Sequence, residues 1–490
     1  METRSAKRKK LLDVYDKEPG EDRVTELPDS VLHRILLLLP IKNIAQTCVL
    51  SKRWRHIWYS FPDLDFTTLK EQEHYDVKFI VHVLSNREKV HCRSDIRLLR
   101  LRGSWRCSQL NELIRQAVLT HNVQHLEIDD VVTNDCFNLS RWVLKSDWLK
   151  ILKLRFSGQG IRLPPWCFMK DGFQSLNKLS LSLVIFHEKP SLGMDCSSFP
   201  LLEKLRMDKC RGLRHLRVCC RALVKFSLSE CSELDNLEIS CPKLKKMSVS
   251  RCFNTTSRNS SVMIDAPKLD KIIWNGNAIT DRSSLHNLRS LQEASVCFES
   301  VTAANLASMS DFFNGLYQLK CLKMEAHCFE LLSKNKHFAG VMSEAFVNLK
   351  SLELHTSRIQ ELASLFRTYL SLQKLIISIT SDSRIRKSSQ MQMDRNFSSS
   401  SGEQYWKSRS HAFKPFLHEL KSVTIHGISE SESEFSLVKF LLGHTGGLQE
   451  MVINCAEGRG CRRLQRIESR VMQFYRASSD AKVVFNQTFH

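Results

Sequence analysis

The chain has 490 residues, of which 42% are hydrophobic and 25% are charged, and these proportions are typical of a folded soluble protein with about two to four domains. Its formal net charge of +20 favours acidic partners but indicates no particular fold. The 17 cysteines are an odd number and the sequence begins without a secretory signal, so we expect reduced thiols in the nucleus or cytoplasm.

Residues 1–22 are polar and contain a basic run at 7–10, and we expect them to form a disordered tail. The basic run is either a nuclear import signal or an ordinary solvated tail, because short basic patches are common. The sequence therefore leaves both the nucleus and the cytoplasm open.

The most apolar stretch follows as LPDSVLHRILLLLP, residues 27–40. Pro28 suits the first turn of a helix, and Pro40 ends it. The i, i+3, i+4, i+7 spacing of one helical face is followed by Leu32, Ile35, Leu36 and Leu39. The unbroken apolar run is far shorter than the ~20 residues of a bilayer span, which excludes a membrane segment here. Because the helix is apolar over most of its circumference, we expect its own domain to cover one side and a partner the other.

Two short helices are predicted next. IKNIAQTCVL forms the second, and its inward side chains are predicted to be Ile41, Ile44, Cys48 and Val49. SKRWRHIW forms the third, with Ser51 as N-cap and with Trp54 and Trp58 one turn apart on one face. Three helices in roughly 40 residues make a small core, which a partner would complete.

The stretch LPDSVLHRILLLLPIKNIAQTCVLSKRWRHIW resembles an F-box. In that family, the Leu-Pro pair, the apolar helix and the SKRWR segment dock on the small adaptor of cullin–RING (SCF) ubiquitin ligases. The resemblance therefore implies an F-box at 23–70 whose adaptor-binding residues are Leu27, Pro28, Leu32, Ile35, Leu36, Leu39, Pro40, Leu50, Ser51 and Trp54. The alternative is an ordinary three-helix unit packed on its own chain.

A Leu-x-x-Leu-x-Leu pattern recurs through residues 96–379 and predicts a leucine-rich-repeat solenoid. The clearest block is 202–252, where two interleaved series each repeat after 21 residues. Two strand-like segments per repeat predict strands on both faces of each coil, where many leucine-rich proteins have helices.

The same spacing aligns five cysteines. We predict that they stack as buried core residues in two columns, Cys210, Cys231 and Cys252 in one and Cys220 and Cys241 in the other. A disulfide ladder or a metal site is the alternative, and the expected reducing compartment argues against disulfides.

The register also aligns exposed cations. Lys204, Lys225 and Lys246 fall on one column, with Arg206 beside it. Like charges on adjacent strands are mildly destabilising, so the column is a candidate strip for an acidic or phosphorylated target segment. The alternative is a solvated edge, because lysine is the most ordinary exposed residue.

Residues 380–410 are rich in serine and without period, which predicts a linker or mobile loop. The segment 411–486 predicts strands around Leu420 and Leu448, an amphipathic helix around Val438 and a last strand at 478–485. It resembles the FBD segment that ends many plant F-box/leucine-rich-repeat proteins, and it would equally act as two repeats that cap the solenoid.

No catalytic motif is found. The sequence contains no Gly-rich phosphate loop, no GxSxG elbow, no HExxH and no CxxC. Cys219 and Cys220 beside Arg221 are the only tempting nucleophiles, and their repeat register favours packing. We therefore predict a non-enzyme without cofactor or metal.

The predicted fold class is α/β, with a small all-α F-box, a repeat solenoid and an FBD-like cap. The family resemblance implies the substrate receptor of an SCF ubiquitin ligase, in which the F-box binds the adaptor, and through it a cullin, while the repeats hold an unknown protein target. Tethering both raises the effective concentration of target lysines near the ligase. The alternatives are a non-ligase scaffold and a nucleic-acid-binding solenoid, although acids are interleaved through the repeats and no aromatic stacking platform accompanies the basic column.

Overall fold

The computed structural model of the chain describes residues 24–487, apart from 25, 68, 70–74, 90–94, 141, 144–145, 158–159, 163–171, 187–190, 256–258, 302, 327, 329–345, 347, 364–371, 380–403 and 456–460. The predicted tail at 1–22 lies outside the described residues. The chain forms two compact units, Met1–Gln159 and Gly160–His490.

The first unit begins with three helices, α1 Asp29–Leu36, α2 Ile41–Gln46 and α3 Lys52–Ser60. Prolines fix their starts, because Pro28 and Pro40 occupy the N-cap positions of α1 and α2. Ser51 caps α3 as predicted, and its side chain accepts a hydrogen bond from the backbone N–H of Trp54. The interior of this helical unit is formed by Leu32, Leu36, Ile41, Ile44, Ile57 and Trp58.

The remainder of the first unit is a parallel sheet with two covering helices. The strand order is β1-β2-β3-β5. Its elements are β1 Asp63–Asp65, α4 Tyr75–Lys89, β2 Leu98–Trp105, α5 Cys107–Leu119, β3 His125–Thr133, β4 Phe137–Asn138 and β5 Ile151–Ser157. Only Phe61 and Pro62 separate α3 from β1, and the buried guanidinium of Arg87 in α4 donates to the carbonyl of Phe61 over 2.8 Å. The helical unit therefore runs directly into the sheet.

The second unit contains a long parallel sheet in the order β7-β10-β12-β14-β16-β18-β19-β20-β21-β22-β23-β24. Its first strands are β7 Lys178–Ser182, β10 Lys204–Asp208, β12 Lys225–Ser229, β14 Lys246–Ser250, β16 Lys271–Asn277 and β18 Glu293–Phe298. It continues through β19 Cys321–Glu325, β20 Ser351–Thr356, β21 Lys374–Ile379, β22 Ser422–Ile428, β23 Glu450–Cys455 and β24 Lys482–Gln487.

A second parallel sheet confirms the prediction of strands on both faces of the coils. It has the order β17-β15-β13-β11-β9 and consists of β9 Ser191–Asp195, β11 His215–Cys219, β13 Asn236–Ser240, β15 Ser261–Asp265 and β17 Arg282–His286. Two short strands, β6 Ile161–Arg162 and β8 Val184–Ile185, pair with each other in a separate small sheet. The helix α6 Leu306–Asn314 follows β18 along the chain and packs against β17.

Each coil of the regular block buries alternate side chains. In β12, Phe226 and Leu228 point into the interior, whereas Lys225, Ser227 and Ser229 face outward. A non-glycine residue in the left-handed region ends each strand, at Lys209, Glu230 and Arg251. The backbone N–H of each donates to the next strand, and for Glu230 the acceptor is the carbonyl of Ser250 at 2.8 Å. These turns hold neighbouring coils in register.

The C-terminal segment contains three helices, α7 Ser410–His418, α8 Glu432–His444 and α9 Cys461–Val471, alternating with β22, β23 and β24. α8 was predicted to be amphipathic, but it is buried over most of its circumference because α7 and α9 both pack against it. The linker prediction extended too far, since residues 404–410 are ordered and Trp406, 2% exposed, stacks on Phe440 of α8. Residues 380–403 of the predicted linker lie outside the described residues.

Candidate binding surfaces

The helical unit exposes much of its apolar surface. Leu38 and Val49 are each 85% exposed, and Leu50 is 65% exposed. Further exposed apolar side chains in the same twenty residues are Val31, Ile35, Leu37 and Leu39. Exposed apolar residues grouped in this way mark a protein interaction surface. We call these seven side chains the apolar patch.

The ten predicted adaptor-binding residues differ in their exposure to solvent. Leu32 and Leu36 are 1% and 2% exposed, so they hold α1 in its own core. Val49, predicted to point inward, is exposed instead, because the helical turn Thr47–Val49 directs it to solvent. Exposed residues of the predicted set are Pro28, Ile35, Leu39, Pro40, Leu50 and Ser51, while Leu27 and Trp54 are half-buried.

Arg53 fixes the Leu27-Pro28 pair against α3. Its guanidinium donates to the carbonyl of Leu27 and contacts the carboxylate of Asp29 at 2.8 and 3.2 Å. A charged fork of this kind gives a well-defined geometry. The SKRWR segment therefore has an internal role in the helical unit, which the sequence pattern alone does not separate from docking.

A column of lysines crosses the outward face of the long sheet. Lys204 and Lys225 are register partners, as are Lys225 and Lys246. The structure adds a lysine at each end, since Lys204 also pairs with Lys178, and Lys246 with Lys271. The sequence pattern missed these two because their repeats depart from the 21-residue offset. We call the five side chains the lysine ladder.

The two end positions of the ladder, Lys178 and Lys271, differ from the central three because both are half-buried. Lys271 forms an ion pair with Glu293 of β18 at 2.7 Å, and this hydrogen bond raises the pKa of the lysine. Lys204, Lys225 and Lys246 are exposed, and within the part of the chain that the structure describes they have no ion-pair partner. Arg206 is likewise exposed beside the ladder.

The cations on the sheet of the first unit are arranged differently. Glu127 of β3 accepts from Lys153 of β5 at 2.7 Å and from Arg100 of β2 at 3.3 Å. Arg100 also contacts Asp65 of β1 at 2.6 Å. Burial by itself would raise the pKa of Glu127, but the hydrogen bond and charge of Lys153, helped by Arg100, lower it overall.

The aligned cysteines are core residues, as predicted. Cys210, Cys220, Cys231, Cys241 and Cys252 are all buried thiols. Burial raises the pKa of the Cys241 thiol to about 12, which keeps it protonated and weakly reactive. Among the described residues, no group of three or more histidine, cysteine, aspartate or glutamate side chains could hold a metal ion. No helix in the described ranges is long and apolar enough to cross a membrane.

A helical module with an exposed apolar patch, joined to strand-rich repeats, defines an F-box protein with leucine-rich repeats. Comparison with known proteins gives the same result. The F-box domain family matches residues 24–65, and the At1g61320/AtMIF1 LRR domain family matches residues 123–482.

Relatives in Arabidopsis thaliana extend the similarity over the whole chain. The Putative F-box/FBD/LRR-repeat protein At4g03220 is 39% identical over 99% of this chain and 100% of its own length. F-box/LRR-repeat protein 25 is 30% identical over 40% of this chain and 71% of its own length. The chain belongs to the F-box/FBD/LRR-repeat family.

Proposed function

We propose that this protein is the substrate-recognition subunit of an SCF-type ubiquitin ligase, in which the F-box binds the adaptor, and through it a cullin, while the repeats hold a protein target. The exposed apolar patch carries the proposal. An F-box within the matched family implies an adaptor partner, and the patch offers that partner the apolar area it needs. We propose no catalytic role for the chain, since tethering leaves the chemistry to other subunits.

Leu38 and Val49 are the proposed anchors of the adaptor interface. Both side chains project almost entirely into solvent in the free protein. Burying them against a partner would therefore remove their apolar surface from water and stabilise the complex. Leu32 and Leu36 support the interface from below by holding α1 in place. Around the patch, Arg34, Lys42, Lys52 and Arg55 form an exposed basic rim, which fits an acidic rim on the adaptor.

We retain as proposals the division of the chain into an F-box at 23–70, repeats at 96–379 and an FBD-like cap at 411–486. We also propose an intracellular, reducing location in the nucleus or cytoplasm. The buried thiols of the coils support this location, because they fill the core as free cysteines.

The test is capture of the full-length chain by a purified plant SCF adaptor. Wild type is expected to bind, and the variant Leu38→Asp/Val49→Asp is expected to lose binding while its circular dichroism is unchanged, because both side chains are exposed. The matched control is Met472→Asp/Tyr475→Asp, which makes the same kind of change at exposed apolar residues of the second unit and should bind as wild type does. Absence of binding by wild type would refute the proposal, as would equal loss in both variants.

A further inference from the structure

The lysine ladder is distinguished by what surrounds it on the outward face. The next outward positions along the strands are small and polar, with serine at 227 and 248 and, one step further, at 229 and 250. The Ser229 hydroxyl donates to the Asp208 carboxylate at 2.5 Å, so this carboxylate already has a hydrogen-bond partner on the same face. Beside Lys225 and Lys246 there are consequently only short side chains, which a polypeptide backbone can approach, whereas β10 carries Arg206 and β16 carries Ile273 at the equivalent position.

The charge of the central ladder is not neutralised by the coils that carry it. Lys204, Lys225 and Lys246 have no ion-pair partner among the described residues. The first acid in line stands at the end of the ladder, where Glu293 pairs with Lys271. Neighbouring like charges repel one another, so an acidic partner would remove a repulsion as well as form new contacts.

We propose that the lysine ladder binds an extended, aspartate- and glutamate-rich segment of the target protein. This inference rests on the proposed function, since it names the kind of segment that the receptor would hold. Neighbouring parallel strands lie about 4.8 Å apart, so five rungs span roughly 19 Å. An extended peptide advances about 3.3 Å per residue, and about six residues cover that length with acids at alternate positions on one side.

The rungs and the acids do not match one to one, but the lysine side chain accommodates the difference. Alternate side chains of an extended peptide are about 6.6 Å apart, compared with about 4.8 Å between rungs. Lysine carries its charge on a flexible four-carbon stem with three donors, so each ammonium can reach an acid displaced along the ladder. Arg206 lies beside the ladder and adds a planar donor to the same face.

A peptide fits this face better than a nucleic acid does. The outward positions of β7, β10, β12, β14 and β16 carry lysine, arginine, serine, aspartate, asparagine and one isoleucine, and no aromatic side chain. Single-stranded nucleic acids are held by aromatic rings that stack on the bases, and this face has none to offer.

The experiment measures binding of a fluorescent eight-residue peptide of alternating glutamate and serine to the full-length chain by anisotropy, at physiological salt. The same peptide with glutamine in place of glutamate should not bind. The variant Lys204→Glu/Lys225→Glu/Lys246→Glu should weaken binding by about 10- to 100-fold, because three charge-assisted contacts become repulsive. The corresponding triple arginine variant should keep it, since it preserves the charge.

The matched control is Lys78→Glu/Lys150→Glu/Lys414→Glu, three exposed lysines outside the ladder that give the same change in net charge. It should bind the peptide as wild type does. Equal loss in both triple variants would overturn the proposal, because net charge alone would then explain binding. A single-stranded oligonucleotide that displaces the peptide at lower concentration than unlabelled peptide would overturn it as well.

Adaptor capture separates this proposal from the proposed function. The ladder variant should still be captured by the adaptor, since its substitutions lie in the second unit. If wild type binds the acidic peptide through the ladder but fails to bind the adaptor, the ligase proposal falls and the ladder assignment stands. If it binds the adaptor but not the peptide, the ladder assignment falls alone.

Discussion

Outward-facing cations are arranged differently on the strands of the two units. In the first unit, Arg100 and Lys153 both contact Glu127, so cations on the two strands that flank β3 share one acid. In the second unit, Lys204, Lys225 and Lys246 occupy neighbouring strands in register, with no ion-pair partner among the described residues. Both arrangements stand on the same kind of parallel strand. The repeat fold therefore does not require an uncompensated column, and the ladder needs an explanation outside folding.

The largest expected effect on stability concerns the buried leucines that the strands of both units share. Leu126 of β3 and Leu228 of β12 are both fully buried, so replacing either by alanine should cost about 2–5 kcal/mol of unfolding free energy. Hydrogen exchange at the amides of each strand measures the local loss of stability. This suits a repeat protein better than a single unfolding midpoint, because each coil contacts only its neighbours. A large loss at one strand with none at the other would show that the interiors differ too.

The next largest effect concerns the acid that the outward-facing cations of the first unit share. Glu127→Gln removes the acid that Lys153 and Arg100 share, so it should cost about 1–3 kcal/mol in exchange protection around β3. The control is Asp129→Asn, whose ion pair with Arg155 is longer, at 3.8 Å, and exposed. If both changes cost the same small amount, the network in the first unit is not stabilising and the comparison loses its basis.

Acid pH should reduce the difference in stability between wild type and Glu127→Gln. The pKa of Glu127 is lower in the folded protein than its ordinary value of about 4.3, so the unfolded chain takes up the proton first as the pH falls. The stability from this carboxylate is present above that pH and is lost below it, and the loss cannot exceed the effect of Glu127→Gln. The gap between wild type and Glu127→Gln should accordingly shrink in denaturation experiments between about pH 5 and pH 3. A gap that stays constant over that range contradicts the assignment.

The smallest effect has the opposite sign. Lys225→Ser removes the middle rung and relieves repulsion with Lys204 and Lys246, so it should leave stability unchanged or raise it by up to about 1 kcal/mol. Thermal denaturation at low salt should show the gain, and high salt should remove it. A clear destabilisation would mean that the lysine stem supports the coil, which would favour a structural role for the ladder.

The sequence predicted the regular parts of the fold because their side chains alternate with a fixed period. The interleaved series at 202–252 correctly indicated two sheets, and Ser51 was correctly predicted as a cap. Among the elements that were missed, two illustrate the physical reasons. β1 is three residues long and carries acids at both ends, and α9 is so polar that its apolar residues are too few to reveal it.

The candidate surfaces were only half predictable. The motif indicated a helix that does expose apolar side chains, but it could not distinguish Leu36, which packs inward, from Leu38, which projects outward, since all five leucines and isoleucines of the run look alike. The lysine ladder was found at three rungs where the repeat length is constant. The outer rungs required the strand pairing itself, because longer connections hide the register.

Because the central coils repeat every 21 residues, the ladder can change length only by whole coils, with one lysine for each coil. Removing residues 225–245 would bring Lys204 beside Lys246, and Leu205 beside Met247, without changing the type of any neighbour along the column. Duplication of the same segment would add one lysine and about 4.8 Å to the strip. Loss or gain of whole 21-residue segments would thus shorten or lengthen the acidic segment that the ladder is proposed to bind, while the N-terminal F-box stays as it is.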